Sequence, residues 1–351
     1  MKPAYCLLIS LAIFYSCKKS NGVGPTPPNS NVTVYVSGYC WDSLAARWVP
    51  VYWQDTTVHY LSGTNGTNSF ARAITWSNGE LLIAGQANEW IPTGGLWVNA
   101  TAKNLSLGDT ASMSDILGVY ATGTDIYLVG FGVNSWSDYG INTYAKIWKN
   151  GIVTNLNSSP GFSSAVGVTV VGQDVYVAWT ESKKNGYFMA VYNKNQNTFV
   201  LDSLSPTVSC HAICSSGSDV YIAGNLYDSV SKKNLAVYWK NGTTIKIPAT
   251  NEDNTYASGI VAAGNDVYIS GEAGLLKTGY AVYWKNGIEH RITDGSFPAT
   301  AIAIALSGTD IYTAGMENFM PVYWKNDAAY KLPRDKTHNS YAVTGIVVEQ
   351  Q

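Results

Sequence analysis

The chain has 351 residues, of which 46% are hydrophobic, 13% aromatic and only 13% charged, with 33 glycines and a formal net charge of −2. Charged residues are about half as frequent as in an ordinary soluble chain, and the absence of a basic stripe or acidic tail argues against nucleic acid or another polyanion as a partner. After residue 16 no stretch carries the 3.6-residue apolar period of an amphipathic helix, whereas the glycine and aromatic content suits an all-β protein.

In chain order, Lys2 precedes an apolar run from Ala4 to Tyr15, and Phe14-Tyr15-Ser16-Cys17 closes it. The run is too short to cross a bilayer comfortably. Residues 1–16 resemble the signal peptide of bacterial lipoproteins, and Lys18-Lys19 after the cysteine makes the segment similar to those of Bacteroidetes. That resemblance implies cleavage before Cys17, lipidation of Cys17 and a membrane attachment through the lipid in the bacterial cell envelope, at the outer membrane. An ordinary secretory signal cut elsewhere is the alternative. Residues 17–31, with Pro25, Pro27 and Pro28 among Gly, Asn and Ser, have nothing to bury and read as a flexible tether.

From Val32 two phrases alternate. The first is Asp219-Val220-Tyr221-Ile222-Ala223-Gly224, and its aromatic column runs Tyr35, Leu82, Tyr127, Tyr176, Tyr221, Tyr268 and Tyr312, at intervals of 44 to 49 residues. The second is Ala236-Val237-Tyr238-Trp239-Lys240-Asn241-Gly242, whose column runs Trp53, Trp97, Trp148, Asn193, Trp239, Trp284 and Trp324. Each phrase occurs seven times. A period in the forties built from short apolar strands predicts a seven-bladed β-propeller of four-stranded blades over residues 32–351. The strands of one blade are named A to D. Val32–Val36 matches strand B with no strand A before it, while Ala342–Val348 matches a strand A that is followed by no strand B. The two halves predict a ring closed by pairing of the N-terminal with the C-terminal strand, which removes two exposed sheet edges.

The local chemistry agrees with this reading. Asn150-Gly151, Asn241-Gly242 and Asn286-Gly287 stand between strands C and D, where a two-residue type I′ turn needs positive φ at both positions. Asp125, Asp174, Asp219, Asp266 and Asp310 recur in the A–B turn; Asp bonds its own backbone readily in turns, and one carboxylate per site is too few for Ca²⁺, so no metal is expected. Ala73, Gly118, Gly167, Ala212, Gly259, Ala303 and Gly345 form a small-residue column suited to seven strands crowding one axis. The Trp column reads as packing between blades.

Function is expected where the repeats disagree. The B–C loops and D–A connections share one irregular face, and the A–B and C–D turns share a regular one. Trp41, Trp48, Trp90, Trp136, Tyr139, Tyr187 and Tyr227 fall on or beside the B–C loops with Asn, Asp and Ser, a composition suited to covering sugar or peptide faces while amides hold hydroxyls. Packing of these rings onto the blades is the alternative. At the mouth of the channel the ring Arg72, Leu117, Val166, His211, Ser258, Ile302 and Thr344 is broken by Arg72 and His211, which would suit an anionic group.

No nucleophile, zinc or phosphate-loop motif occurs, and the four histidines lie in different repeats. A carboxylate pair from different blades stays open, with Asp42, Glu89, Asp115, Asp138, Glu181, Asp228, Glu272 and Glu317 as candidates. Cys210 and Cys214 lie about 13 Å apart if strand-borne, too far to bridge each other; with Cys40 they read as buried thiols, a bridge or metal involving Cys40 or His211 being the alternative. Asp-Ser/Thr tripeptides at Ser43, Thr56, Thr110, Ser203 and Ser229 resemble Bacteroidetes O-glycosylation acceptors. The whole mature chain resembles bacterial propeller-repeat lipoproteins. The expected function is therefore a non-catalytic binding module for a glycan or protein ligand, without cofactor. Its alternatives are a propeller glycoside hydrolase or polysaccharide lyase, and a scaffold subunit of an envelope complex.

Overall fold

The computed structural model describes residues 31–62, 66–88, 93–103, 113–133, 142–157, 161–183, 186–248, 254–274 and 279–350. They form seven four-stranded antiparallel sheets. The fold is a seven-bladed β-propeller. Blade one takes its innermost strand from His338–Gln350 and its next three from Val32–Asp42, Arg47–Gln54 and Thr57–Tyr60. In the other six blades the innermost strand comes first in sequence: Phe70–Ser77, Met113–Thr122, Ser163–Val171, Val208–Ser216, Asn254–Ala263 and Ala299–Ser307. Closure occurs as the half-units require, with Val34 opposite Val348 and Val36 opposite Ile346.

The repeated phrases have distinct structural reasons. The Gly ending strand B's phrase is forced, because a Cβ at Gly85, Gly130, Gly224, Gly271 or Gly315 would lie 1.9 to 2.1 Å from a carbonyl oxygen of the adjacent strand A. In blade five the space over Gly224 is taken by Trp239, whose Cζ3 would be 2.7 Å from that Cβ. The same indole packs on Ala178 and Ala190 of blade four, so each Trp of the column seals its blade to the one before. Blade four departs from the pattern and compensates. Asn193 stands where the Trp should be, and Trp179 stands where the Gly should be, on the same face of the sheet. Trp179 is fully buried against Tyr127, Val129 and Ala145 of blade three.

The small-residue column lies on the channel wall. A Cβ at Gly118 would come within 3.1 Å of Gly167 Cα, and one at Gly259 within 3.2 Å of Ala303 Cα, so neighbouring innermost strands approach at backbone distance.

The A–B Asp residues do not bond their own backbone. Asp219 instead accepts from Asn241 Nδ2 at 2.8 Å and pairs with Lys240 Nζ at 2.8 Å, while Lys240 lies 5.4 Å from the centre of the Tyr221 ring. Asn241 Oδ1 accepts the Val220 N–H at 2.9 Å. Blades three, four, six and seven repeat this Asp–Lys–Asn rivet between the A–B and C–D turns, through Asp125, Asp174, Asp266 and Asp310. Both residues of Asn150-Gly151, Asn241-Gly242 and Asn286-Gly287 have positive φ, as the type I′ turn demands.

Cys40, Cys210 and Cys214 are free thiols, and burial pushes the pKa of each up to about 12. They are therefore poor nucleophiles and metal ligands as they stand.

Candidate functional site

A register shift interrupts the A–B ladder in every blade, around Arg72, Leu117, Val166, His211, Ser258, Ile302 and Thr344. These are the seven residues of the channel-mouth ring. A β-bulge adds one residue to a strand and re-aims its side chain, and here all seven line a central channel of about 230 Å³. The irregular face thus carries a ring of seven inward residues on rigid strands, two of them ionisable.

Arg72 is held on one side by aromatic faces, 4.9 Å from the centre of Phe70 and 5.6 Å from that of Tyr39. On the other side its Nη2 lies 3.4 Å from Asp115 Oδ2 of the next blade. Arg72 Nε and Asp115 Oδ1 are buried and have no hydrogen-bond partner. Burial pushes the Asp115 carboxyl up to about 6, against the opposing pull of Arg72. The couple thus joins a buried carboxylate to a part-exposed guanidinium, with one donor and one acceptor left over.

His211 is built differently. Its Nε2 lies 2.8 Å from Ser209 Oγ and 3.0 Å from Asn225 Nδ2. Asn225 is itself fixed, since its Oδ1 accepts the Ala257 N–H at 2.7 Å. An amide N–H directed at Nε2 makes that nitrogen an acceptor and places the ring proton on Nδ1. The surrounding strands withdraw the imidazole from bulk water and lower its pKa, yet its edge remains exposed because it faces the open channel. Ser209 and His211 thus form a hydrogen-bonding platform at the channel mouth.

From His211 a lateral cavity of about 540 Å³ runs between blades four and five. Phe162, Phe188, Leu226 and Tyr256 supply its apolar walls, and Thr180, Asn225 and Asn234 add polar groups to Ser209 and His211. Asn234 donates to the Tyr256 hydroxyl at 3.1 Å, and Phe162 and Phe188 meet edge to face at 6.1 Å. Phe162, 47% exposed, forms the outer lip. The size and the mixture of flat apolar walls with a few fixed polar groups match a small-molecule site.

The remaining candidate residues have other settings. Trp41 and Trp48 are half-buried and pack edge to face at 5.5 Å, with Tyr39 and Phe70 completing the cluster that carries Arg72. Tyr187 is exposed beside Phe188, and the Tyr227 backbone N–H donates to Thr207 O at 2.9 Å. Trp90, Trp136, Tyr139, Thr110 and Cys17 lie outside the described residues, as do Glu89 and Asp138. Among the carboxylates, Asp42 accepts the Leu44 and Ala45 N–H groups, Glu181 accepts from Trp179 Nε1, and Asp228 pairs with Lys246. Asp202 caps its own loop in the same way as Asp42, receiving Leu204 N and Ser205 N, so these Asp-Ser tripeptides are Asx turns. They present Ser43 and Ser229 at exposed tips of the irregular face with Ser203 half-buried, while Thr56 is exposed on the regular face. The Ser43 hydroxyl donates to Thr337 O at 2.7 Å.

The inter-blade cavity draws on seven separated segments, and repetition gives no means to rank Ser209, Asn225, Asn234 or Tyr256 as site residues. The signal the sequence does carry is His211, the one histidine of the channel-mouth ring.

Among solved structures the propeller is similar to a puromycin-hydrolyzing peptidase of Mycobacterium tuberculosis, with a TM-score of 0.58 and 9% identity over 85% of this chain and 52% of that one. An acylaminoacyl peptidase of Pyrococcus horikoshii gives a TM-score of 0.54 and 12% identity over 89% of this chain and 52% of that one. The chain therefore spans about half the length of these structures, and at such identities the likeness concerns the fold. No protein-family model and no curated protein matches the chain.

Proposed function

We propose that the protein is a non-catalytic binding module of the bacterial cell envelope that takes a glycan at its irregular face, in the cavity between blades four and five. The observation that carries this reading is the cavity of about 540 Å³ in which flat walls of Phe162, Phe188 and Tyr256 meet Ser209, His211, Asn225 and Asn234. Aromatic faces cover the apolar side of a sugar ring, while fixed hydroxyl, amide and imidazole groups exchange hydrogen bonds with its hydroxyls. Attachment through lipid at Cys17 agrees with the position of Val32, which pairs with Gln350 on the regular face. The tether would then join the body on that side, opposite the irregular face. Sugars on the exposed Asp-Ser tips belong to the same reading, and an unmodified intact mass of the native protein would remove them from it.

A glycan array followed by calorimetry on the best ligand tests the reading. Retention without release of reducing sugar is expected, with His211→Ala and Asn234→Ala each weakening binding about fivefold to tenfold, the usual worth of one hydrogen bond. Unchanged affinity in both His211→Ala and Asn234→Ala rejects the site. Release of product would instead favour a glycoside hydrolase or lyase, and capture of a protein partner without glycan binding would favour a protein ligand or a scaffold role.

A further inference from the structure

The outermost strand of blade four, Asn197–Asp202, departs from its counterparts. It holds six residues, whereas the outermost strands of the other blades hold three or four among the described residues. Four of those carry Lys103, Lys246, Arg291 or Lys331, and charge along an edge is a usual guard against pairing with another chain. From Asn197 to Leu201 there is no charge and no proline. Asn197, Thr198, Phe199 and Val200 are all exposed, Phe199 by 43% and Val200 by 56%.

The backbone of this strand is arranged to pair outward. The two-residue turn Asn195-Gln196 makes Lys194 and Asn197 a hydrogen-bonded pair, and such pairs alternate with open ones along an antiparallel ladder. Phe199 therefore bonds back to Tyr192, while the N–H and C=O groups of Thr198 and Val200 point away from the blade. Thr198 and Val200 flank Phe199 symmetrically, so a two-fold axis at Phe199 brings each opposite the other, as a self-complementary contact requires. In that register the one charge of the strand, Asp202, falls opposite Gln196 and not opposite its own copy. The bulge at Leu201 closes the regular stretch before Asp202 is reached.

We infer that Asn197–Asp202 pairs antiparallel with the same strand of a second copy of this chain, so that the two fourth blades form one continuous sheet. Thr198 and Val200 then face Val200 and Thr198 of the second copy, each pair exchanging its N–H···O bonds. Phe199 meets its own copy at an open position, where Cα atoms approach to about 4.5 Å, and aromatic pairs across strands are favourable. The ring already stacks on Tyr192 at 4.9 Å, so the contact extends an existing stack across the axis. The inference is independent of the glycan reading, because it uses the outer rim of blade four and no residue that lines the cavity.

Analytical ultracentrifugation over a range of protein concentrations tests the pairing, and a reversible monomer–dimer equilibrium is expected. Val200→Lys places a charge on the edge and should weaken the dimer about tenfold or more, the worth of a central interface residue. Thr198→Pro removes an outward N–H without touching the bonds to the neighbouring strand, and should weaken it as well. Ile152→Lys, on the outermost strand of blade three, should leave the dimer as it is. Near-UV circular dichroism reports whether each variant is folded. The register has its own test: Phe199→Cys puts two thiols at an open pair within disulfide reach, so mild oxidation should give a covalent dimer joined 199 to 199 in peptide mass spectrometry, which wild type treated alike does not give. A protein that stays monomeric at every concentration overturns the inference and leaves the edge to a strand of another protein. So do folded Val200→Lys and Thr198→Pro variants that dimerise as wild type does, or a dimer in which Phe199→Cys forms no such bridge.

Discussion

At the scale of single residues, the clearest departures from the repeat are in the C–D turns. Asn150-Gly151, Asn241-Gly242 and Asn286-Gly287 satisfy two positive φ angles with a glycine second, whereas Asn195-Gln196 does so with φ of 49° and 74° and a side chain at both positions. The left-handed region costs a residue with a Cβ about 1–2 kcal/mol, and glycine returns part of that through its freer unfolded chain. Gln196→Gly should therefore stabilise the protein by about 0.5–1 kcal/mol, because the backbone N–H at 196 keeps its bond to Asn193 Oδ1. A melting temperature equal to or below wild type would show that the turn is already relaxed. A second residue-scale effect belongs to Asp115. Its carboxyl titrates at about 6 in the fold against an ordinary 3.8, so between these values the native state holds the proton more tightly than the unfolded chain. The group's contribution is then fully present below the lower value and lost as pH rises through the higher one. Relative to Asp115→Asn, the wild type should lose stability on the order of 2 kcal/mol across that window. Parallel denaturation curves at both ends of the window would contradict the placement of Asp115. The positions of Arg72 and His211 at the mouth were legible in the sequence, because equivalent repeats can be aligned by eye. Their partners were not, because Asp115 and Asn225 reach them only through bulges that leave no mark on composition.

Among elements, the strand C column shows what repetition reveals and what it conceals. Six Trp residues in register announce inter-blade packing, and the structure puts Trp53, Trp97, Trp148, Trp239, Trp284 and Trp324 among its most buried side chains. The exception at Asn193 looks in the sequence like a weak blade, yet the indole arrives from strand B as Trp179, opposite Val191 and two residues along from the partner of Asn193. One volume is filled from either of two adjacent strands. Trp179→Gly alone empties that volume and should cost about 3–5 kcal/mol. Adding Asn193→Trp, which rebuilds the arrangement of the other six blades, should recover most of the loss by refilling the same space. If urea unfolding finds the two changes additive and both destabilising, the volumes are separate and the exchange between strands is refuted. The Asp–Lys–Asn rivets were half legible: a turn Asp is expected to serve its own loop, but Lys240 and Asn241 follow the Trp by one and two residues and reach Asp219 across the sheet. Their carboxyl pKa values are lowered by these partners, so the stabilisation holds at neutral pH and fades in acid as the carboxylates protonate.

For the whole molecule the decisive element is the last strand. His338–Gln350 pairs along the full length of Val32–Asp42, and a Cβ on its Gly345 would lie 2.8 Å from Ile74 Cγ2 of blade two. The strand therefore completes one sheet and closes the contact between blades one and two at the same time. His338 adds a polar clasp at the irregular end, stacking on Tyr60 at 4.5 Å with its Nδ1 2.7 Å from Asp335 Oδ1. A chain ending at Thr337 would leave the ladder edge of Val32–Asp42 unpaired, and an unpaired flat edge beside buried apolar residues is a template for association. It would also uncover Val34, Val36 and Cys40, which now share a core with Tyr341, Val343 and Ile346. Because every blade is held by its two neighbours, the opened ring loses support on both sides of the gap rather than one strand's worth of contacts. The truncated chain should melt well below the full-length protein and elute from size exclusion as larger species at raised concentration. Supplying residues 338–350 as a separate peptide should restore the elution of the full-length protein, since the missing piece is a strand and not a fold. A truncated chain that keeps the elution and melting temperature of the full-length protein would mean that six blades hold the circle without the seventh, and the channel mouth, built from one bulge per blade, would no longer need a sealed ring to keep Arg72 and His211 in place.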